Sequence, residues 1–128
     1  MIHIERDQKE QYTIVRLGNE KLDATISSDL KAYFVSLNNE GVKNIIFDMK
    51  AVKYSDSSGR SAILVGNRLC QEVAGTFVLC CLADHVSKLV RISQLDTVLN
   101  ILPTTEEAID FVLFIEIENQ LRDDSQDS

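Results

Sequence analysis

An α/β domain is the fold class the sequence predicts, built on a mixed β-sheet with an N-terminal antiparallel hairpin and about four α-helices. Three observations predict it. Two short β-favouring runs open the chain, apolar residues at helical spacing then alternate with compact apolar runs, and one of those runs, residues 42–49, is nearly continuous. A continuous run of that kind suits a strand buried on both faces, and its alternation with helices requires parallel strands joined by right-handed crossovers.

Each element follows from its residues. Ile2 and Ile4, then Tyr12, Ile14 and Leu17, flank the polar stretch Asp7-Gln8-Lys9-Glu10-Gln11, the pattern of a hairpin. Ile26, Leu30, Tyr33, Phe34 and Leu37 recur at helical spacing and stop at Asn38-Asn39-Glu40-Gly41, which predicts a first amphipathic helix. Val42-Lys43-Asn44-Ile45-Ile46-Phe47-Asp48-Met49 predicts the central strand. The small, polar cluster Tyr54-Ser55-Asp56-Ser57-Ser58-Gly59-Arg60-Ser61 reads as a tight loop leading into a second helix with Ala62, Val65, Leu69 and Val73 on its apolar face. Residues 76–82 form a third apolar run, Val86, Leu89 and Val90 mark a third helix, and residues 98–102 are a last short strand before Pro103. Thr104-Thr105-Glu106-Glu107 then matches a capping box opening a final helix through about Leu121, its apolar face Ala108, Ile109, Val112, Leu113 and Ile117. No repeat, low-complexity tract or Pro/Gly-rich linker divides the chain.

Composition narrows the function. A chain of 128 residues, 45% hydrophobic, supports one core without a disulfide or structural metal. A formal charge of -7 and a pI near 4.7 exclude the electrostatic grip that direct nucleic-acid or anionic-membrane binding needs, so a protein partner is expected. The acids Glu116, Glu118, Asp123, Asp124 and Asp127 against Arg122 place about -4 of this charge after residue 115, in a segment expected to be solvated and frayed. No apolar run is long enough to span a bilayer and Met1-Ile2-His3-Ile4-Glu5-Arg6 lacks a signal-peptide core, so the expected location is the cytoplasm, without membrane insertion. Cys70, Cys80 and Cys81 have neither a disulfide-framework count nor metal-ligand spacing, and adjacent strand residues point to opposite faces. They are expected to be buried free thiols, with no metal site. His3 and His85 stand apart, no Walker loop or GxGxxG occurs, and no cofactor is predicted. A hydrolase or acyl carrier using Ser58 as nucleophile would need a base, and Lys53 is the nearest weak candidate.

Asp56-Ser57-Ser58-Gly59 carries the functional signal. Its place, after the central strand and before a helix, is where ligands and partners meet open α/β sheets. Asp56 or Ser57 can cap the free amides of the helix, Gly59 permits close approach of the backbone, and Ser58 presents a hydroxyl near the positive helix end.

Together with Leu22-Asp23-Ala24 before the first helix, the run Asn44-Ile45-Ile46-Phe47-Asp48-Met49, and Leu95-Asp96, Val98 and Pro103-Thr104-Thr105-Glu106-Glu107-Ala108, this motif resembles the STAS family, specifically the bacterial anti-sigma factor antagonists. The similarity covers about residues 1–112, leaving 113–128 as the end of the last helix and the acidic tail. It implies a non-enzymatic binding module that captures an anti-sigma factor with serine kinase activity, regulating transcription indirectly. Phosphorylation by that kinase would release the partner, and a metal-dependent serine/threonine phosphatase would reverse the change. Alignment of the motif makes Ser58 the target, with Ser57 as second choice, and implies a partner surface of Asp23, Asp56, Ser57, Ser58, Gly59 and Arg60. Arg60 and Ser61 depart from the family pattern of an apolar and then a small residue, and a cation in the first helical turn opposes the dipole. The alternative is a STAS subunit that is never phosphorylated and serves another complex, such as a lipid-transport ABC system.

Overall fold

The computed structural model describes residues 1–126. Strands β1 (Ile4–Gln8) and β2 (Thr13–Leu17) pair antiparallel from Ile4↔Leu17 to Gln8↔Thr13, the hairpin the opening residues predict. A two-residue strand β3 (Lys21–Leu22) precedes helix α1 (Ser27–Asn39), and Gly41, at φ +88°, turns the chain into β4 (Ile45–Asp48). After β4 come β5 (Tyr54–Ser55), α2 (Ser57–Glu72), β6 (Phe77–Cys80), α3 (Asp84–Ile92), a short 3-10 turn (Leu95–Thr97), β7 (Asn100–Leu102) and α4 (Thr105–Gln126). Five strands form one sheet in the order β1-β2-β4-β6-β7, parallel except at the hairpin. Strand β4 is central, as its apolar run requires.

The sheet has two packed faces. Val15, Leu17, Ile45, Phe47, Phe77 and Leu79 point into a large core closed by α1, α2 and α3, whereas Ile14, Ile46, Val78 and Cys80 form a smaller layer under Ala108 and Val112 of α4. Phe34 from α1 meets Phe47 and Phe77 edge-on, with centroids 5.4 and 5.6 Å apart. Gly66 brings α2 onto this cluster, since a Cβ there would stand 2.6 Å from the Phe77 ring and 3.0 Å from Phe34. The buried stripe of α2 is accordingly Gly59, Ala62, Ile63, Gly66, Asn67 and Cys70. Of the predicted face only Ala62 is fully buried, with Val65 and Leu69 half-covered and Val73 exposed. Small residues, which carry little hydrophobic signal, make the closest contact.

Other boundaries shifted for local reasons. The loop predicted over Ser57–Ser61 is already helical, because Asp56 caps α2 from the residue before. Residues 98 and 99 do not join β7, since Val98 closes the 3-10 turn and is 57% exposed. Thr104 Oγ1 accepts from the Glu107 amide at 3.1 Å, so the cap forms, although Glu107 makes no return bond among the described residues. Helix α4 runs past Leu121 to Gln126, with Ile117 exposed rather than part of the packed face.

Its acidic segment is not wholly solvated. Asn44, buried at the start of β4, donates to the Gln11 carbonyl at 2.8 Å and to Glu116 Oε1 at 3.0 Å, and its Oδ1 accepts from the Thr76 amide at 2.8 Å. Glu116 also pairs with Lys43 at 3.3 Å. One amide thus ties the hairpin loop, the entry to β6 and α4 together. Residues 127 and 128 of the expected tail lie outside the described residues.

The three cysteines are free thiols, with Cys70 and Cys80 buried and Cys81 half-buried. The opposite-face argument for Cys80 and Cys81 fails, because Cys81 has φ +63° and has left the strand. That conformation costs a non-glycine residue on the order of 1–2 kcal/mol.

Candidate functional site

The site begins where β4 ends. Asp48 Oδ1 accepts from the Lys50 amide at 2.9 Å, turning the chain, and Lys53 N donates to the Glu20 carbonyl at 2.7 Å. This delivers Tyr54 and Ser55 alongside Lys21 and Leu22, and β3 pairs parallel with β5 in the register Lys21↔Tyr54, Leu22↔Ser55. Leu22-Asp23 thereby lies beside Ser55-Asp56, although more than thirty positions separate them in sequence.

Gly59 allows the approach. A Cβ on Gly59 would fall 2.3 Å from Ser55 Oγ, 2.6 Å from the Leu22 carbonyl and 2.8 Å from Leu22 Cγ, so any side chain would force this junction apart.

Asp56 is the N-cap of α2, in extended backbone conformation, and one carboxylate oxygen accepts from the Ser58 amide at 3.0 Å, the Gly59 amide at 3.2 Å and the Ser58 hydroxyl at 2.5 Å. The Ser58 hydroxyl bond, followed by those amides, holds its carboxyl below the usual carboxylate range, against opposition from desolvation. Asp23 is lowered in the same direction, chiefly by the hydroxyl and amide of Thr25, while the Asp56 charge acts against it. Both are acceptors fixed in the ionised form.

Ser27, at the start of α1, completes the group. Its hydroxyl lies 2.5 Å from the Asp23 carbonyl and 2.9 Å from Ser58 Oγ, sharing one proton between them, while Ser58 donates to Asp56. The two signature segments are therefore joined through a serine that belongs to neither. No pattern in the sequence marks Ser27, because its role depends on the β3–β5 contact.

The remaining residues line the rim. Ser57, the first residue of α2, is exposed, Ser58 is half-buried and Gly59 buried, so the accessible hydroxyls are those of Ser57 and, after rotation away from Asp56, Ser58. Arg60 is exposed and makes no ion pair among the described residues. It borders an apolar-floored cleft between α2 and α3, where Ile63 faces Val86, Leu89 and Val90. All six residues expected at the partner surface thus sit at one end of the sheet. Among the described residues the Ser58 hydroxyl has neither histidine nor lysine in its hydrogen-bond network, and the lowered pKa of Asp56 makes its carboxylate a weak base.

The fold and this turn define a class. The family model of the STAS domain matches residues 3–108, and the chain belongs to the STAS family. Among solved structures it is similar to the Bacillus cell fate determinant SpoIIAA in its phosphorylated form, at 26% identity and TM-score 0.66, covering 86% of this chain and 99% of that one. An anti-sigma factor antagonist from Mycobacterium paratuberculosis matches at 15% identity and TM-score 0.78, over 88% of this chain and 94% of that one. A sulfate transporter family protein from Wolinella succinogenes matches at 15% identity and TM-score 0.73, over 84% and 88%. The last two likenesses show the fold alone. No helix among the described residues is long and apolar enough to cross a membrane.

Proposed function

We propose that this protein is a phosphorylation-switched antagonist of an anti-sigma factor, acting on transcription through that partner and without touching nucleic acid. The observation that carries the reading is the joining of Asp23 and the Asp56–Gly59 turn through Ser27 and Ser58. Unmodified, the turn and the adjoining α2–α3 cleft offer a partner a surface that includes Ser57 and the half-buried Ser58, with Arg60 at its rim. The partner is an anti-sigma factor with serine kinase activity, and a metal-dependent serine/threonine phosphatase resets the cycle. The setting is cytoplasmic.

Charge explains the switch. A phosphate on Ser58 replaces a donated proton with about -1.5 to -2 charges beside Asp56, so the existing hydrogen bond becomes a repulsion. The positive end of the α2 dipole offsets only part of it. Within a docked interface the phosphate must also lose water, and each 1.4 kcal/mol of unfavourable change is about tenfold in affinity, so a loss of about a hundredfold follows from roughly 3 kcal/mol. Rotation of one side chain is sufficient, and the sheet need not move.

The second reading, a STAS subunit that is never phosphorylated, draws on the likeness to a transporter-family protein and on the engagement of the Ser58 hydroxyl by two neighbours. Incubation with candidate anti-sigma kinases and Mg-ATP, read by intact mass, separates the two. The switch requires one added phosphate that Ser58→Ala abolishes, and weaker partner capture by Ser58→Asp than by Ser58→Ala. A phosphate that survives in Ser58→Ala and disappears in Ser57→Ala would move the switch to Ser57. No phosphate with any kinase, and equal capture by both Ser58 variants, would leave the subunit reading standing.

A further inference from the structure

On the opposite face of the sheet, under the start of α4, lies a group of reactive side chains that the serine turn does not use. The parallel register sets Asp48, at the end of β4, beside Cys80, at the end of β6. Cys81 would turn away if the strand continued, but its left-handed backbone brings the second thiol back to the first. The Asp48 carboxylate oxygen and the Cys80 and Cys81 sulfurs all lie within 4.8 Å of one another. Asp48 and Cys80 are buried, and Cys81 is half-buried, which gives the group an entrance. The Thr105 hydroxyl stands 3.5 Å from the Cys81 sulfur and 3.9 Å from that of Cys80.

From this arrangement we infer that Asp48, Cys80 and Cys81 form a binding site for a thiophilic divalent cation of the zinc class. Three points support the assignment. Zinc–sulfur bonds of about 2.3 Å in a tetrahedron bring two sulfurs about 3.8 Å apart, a separation that falls within the 4.8 Å bounding the three ligand atoms. The donor set is selective, because two sulfurs favour zinc-like ions over magnesium or calcium, which take oxygen ligands. Charge also balances: two thiolates and one carboxylate are offset by a dication and by the Arg16 guanidinium, whose Nε lies 3.5 Å from Asp48 Oδ2. The Lys50 amide bonds the other oxygen, Oδ1, and fixes the carboxylate's orientation. The strained backbone of Cys81 fits the same reading, since such conformations persist where the surroundings hold them. Water completes the fourth position.

The test uses the full chain, reduced and freed of metal with a chelator, and titrated with cobalt(II) as the spectroscopic probe. One equivalent is expected to produce sulfur-to-cobalt charge transfer and the visible bands of a tetrahedral site, both bleached by zinc. Cys81→Ser should lose the charge-transfer band in large part and bind at least about tenfold more weakly, and Asp48→Asn should weaken binding by a similar factor. Cys70→Ser should bind as the wild type does. In the unmutated protein, zinc should protect the half-buried Cys81 thiol from a thiol reagent, a readout that does not depend on any variant folding. Absence of the charge-transfer band at stoichiometric cobalt, its undiminished persistence in a folded Cys81→Ser protein, or its loss in a folded Cys70→Ser protein would overturn the assignment.

Discussion

Replacing Gly59 by alanine tests whether the junction of β3, β5 and α2 is as close as its distances imply. Two effects oppose each other. Alanine is better than glycine inside a helix by about 0.8–1 kcal/mol, and less than this is realised in a first turn. The added methyl would lie 2.3 Å from Ser55 Oγ, 2.6 Å from the Leu22 carbonyl and 2.8 Å from Leu22 Cγ. The serine hydroxyl can rotate away, but the carbonyl belongs to a paired strand and can retreat only if the β3–β5 pair opens. Overpacking of this kind typically costs 1–3 kcal/mol, so the net expectation is destabilisation by about 1–2 kcal/mol. With unfolding entropy of about 2.1 cal/mol/K per residue, a chain of 128 residues loses about 4 °C of Tm per kcal/mol, giving a drop of about 4–8 °C. Thermal unfolding followed by circular dichroism reads the shift, and amide exchange at Asp56, whose N–H donates to the Leu22 carbonyl at 3.4 Å, should accelerate. A variant equal to or more stable than the wild type would refute the close junction, and with it the geometric basis for joining Asp23 to Ser58.

Further perturbations address other parts of the molecule. Asn44→Ala leaves the buried Thr76 amide unpaired and cuts the bonds to Gln11 and Glu116, and a loss of about 2–4 kcal/mol is expected in urea unfolding; a loss under about 1 kcal/mol would mean that α4 is held by packing alone. Arg60→Gln removes a cation from the positive end of α2 and should gain about 0.3–1 kcal/mol, whereas a loss of stability would show that Arg60 has a structural partner. Burial pushes the Cys70 thiol up to about 12, so the folded protein keeps a proton that the unfolded chain loses from about pH 9. Stability should therefore fall as pH rises from about 9 toward 12, and Cys70→Ala should flatten that slope in pH-dependent unfolding. On the acid side, the lowered Asp23, Glu40 and Asp56 carboxyls stabilise the fold above their usual range near pH 4 and cease to do so as pH falls below it.

How these outcomes depend on sequence and fold separates into two kinds of information. The sequence by itself determined the kinds and order of the main elements, because helices and buried strands are written in local apolar spacing, as in Ile26 to Leu37 and in residues 42–49. It also marked Asp56–Gly59, since an N-cap and a close-approach glycine are demanded by a helix terminus a few residues long. Only the tertiary structure decided the rest. Strands β3 and β5 have two residues each and carry no period to read, yet their pairing joins Asp23 to Ser58 and gives Ser27 its place. Asn44 and Glu116, 72 positions apart, meet because α4 crosses the sheet, a contact invisible to local composition. Cys81 gathers with Cys80 and Asp48 because its backbone leaves the strand, a torsional choice that reverses the alternation of side chains on which strand reasoning depends.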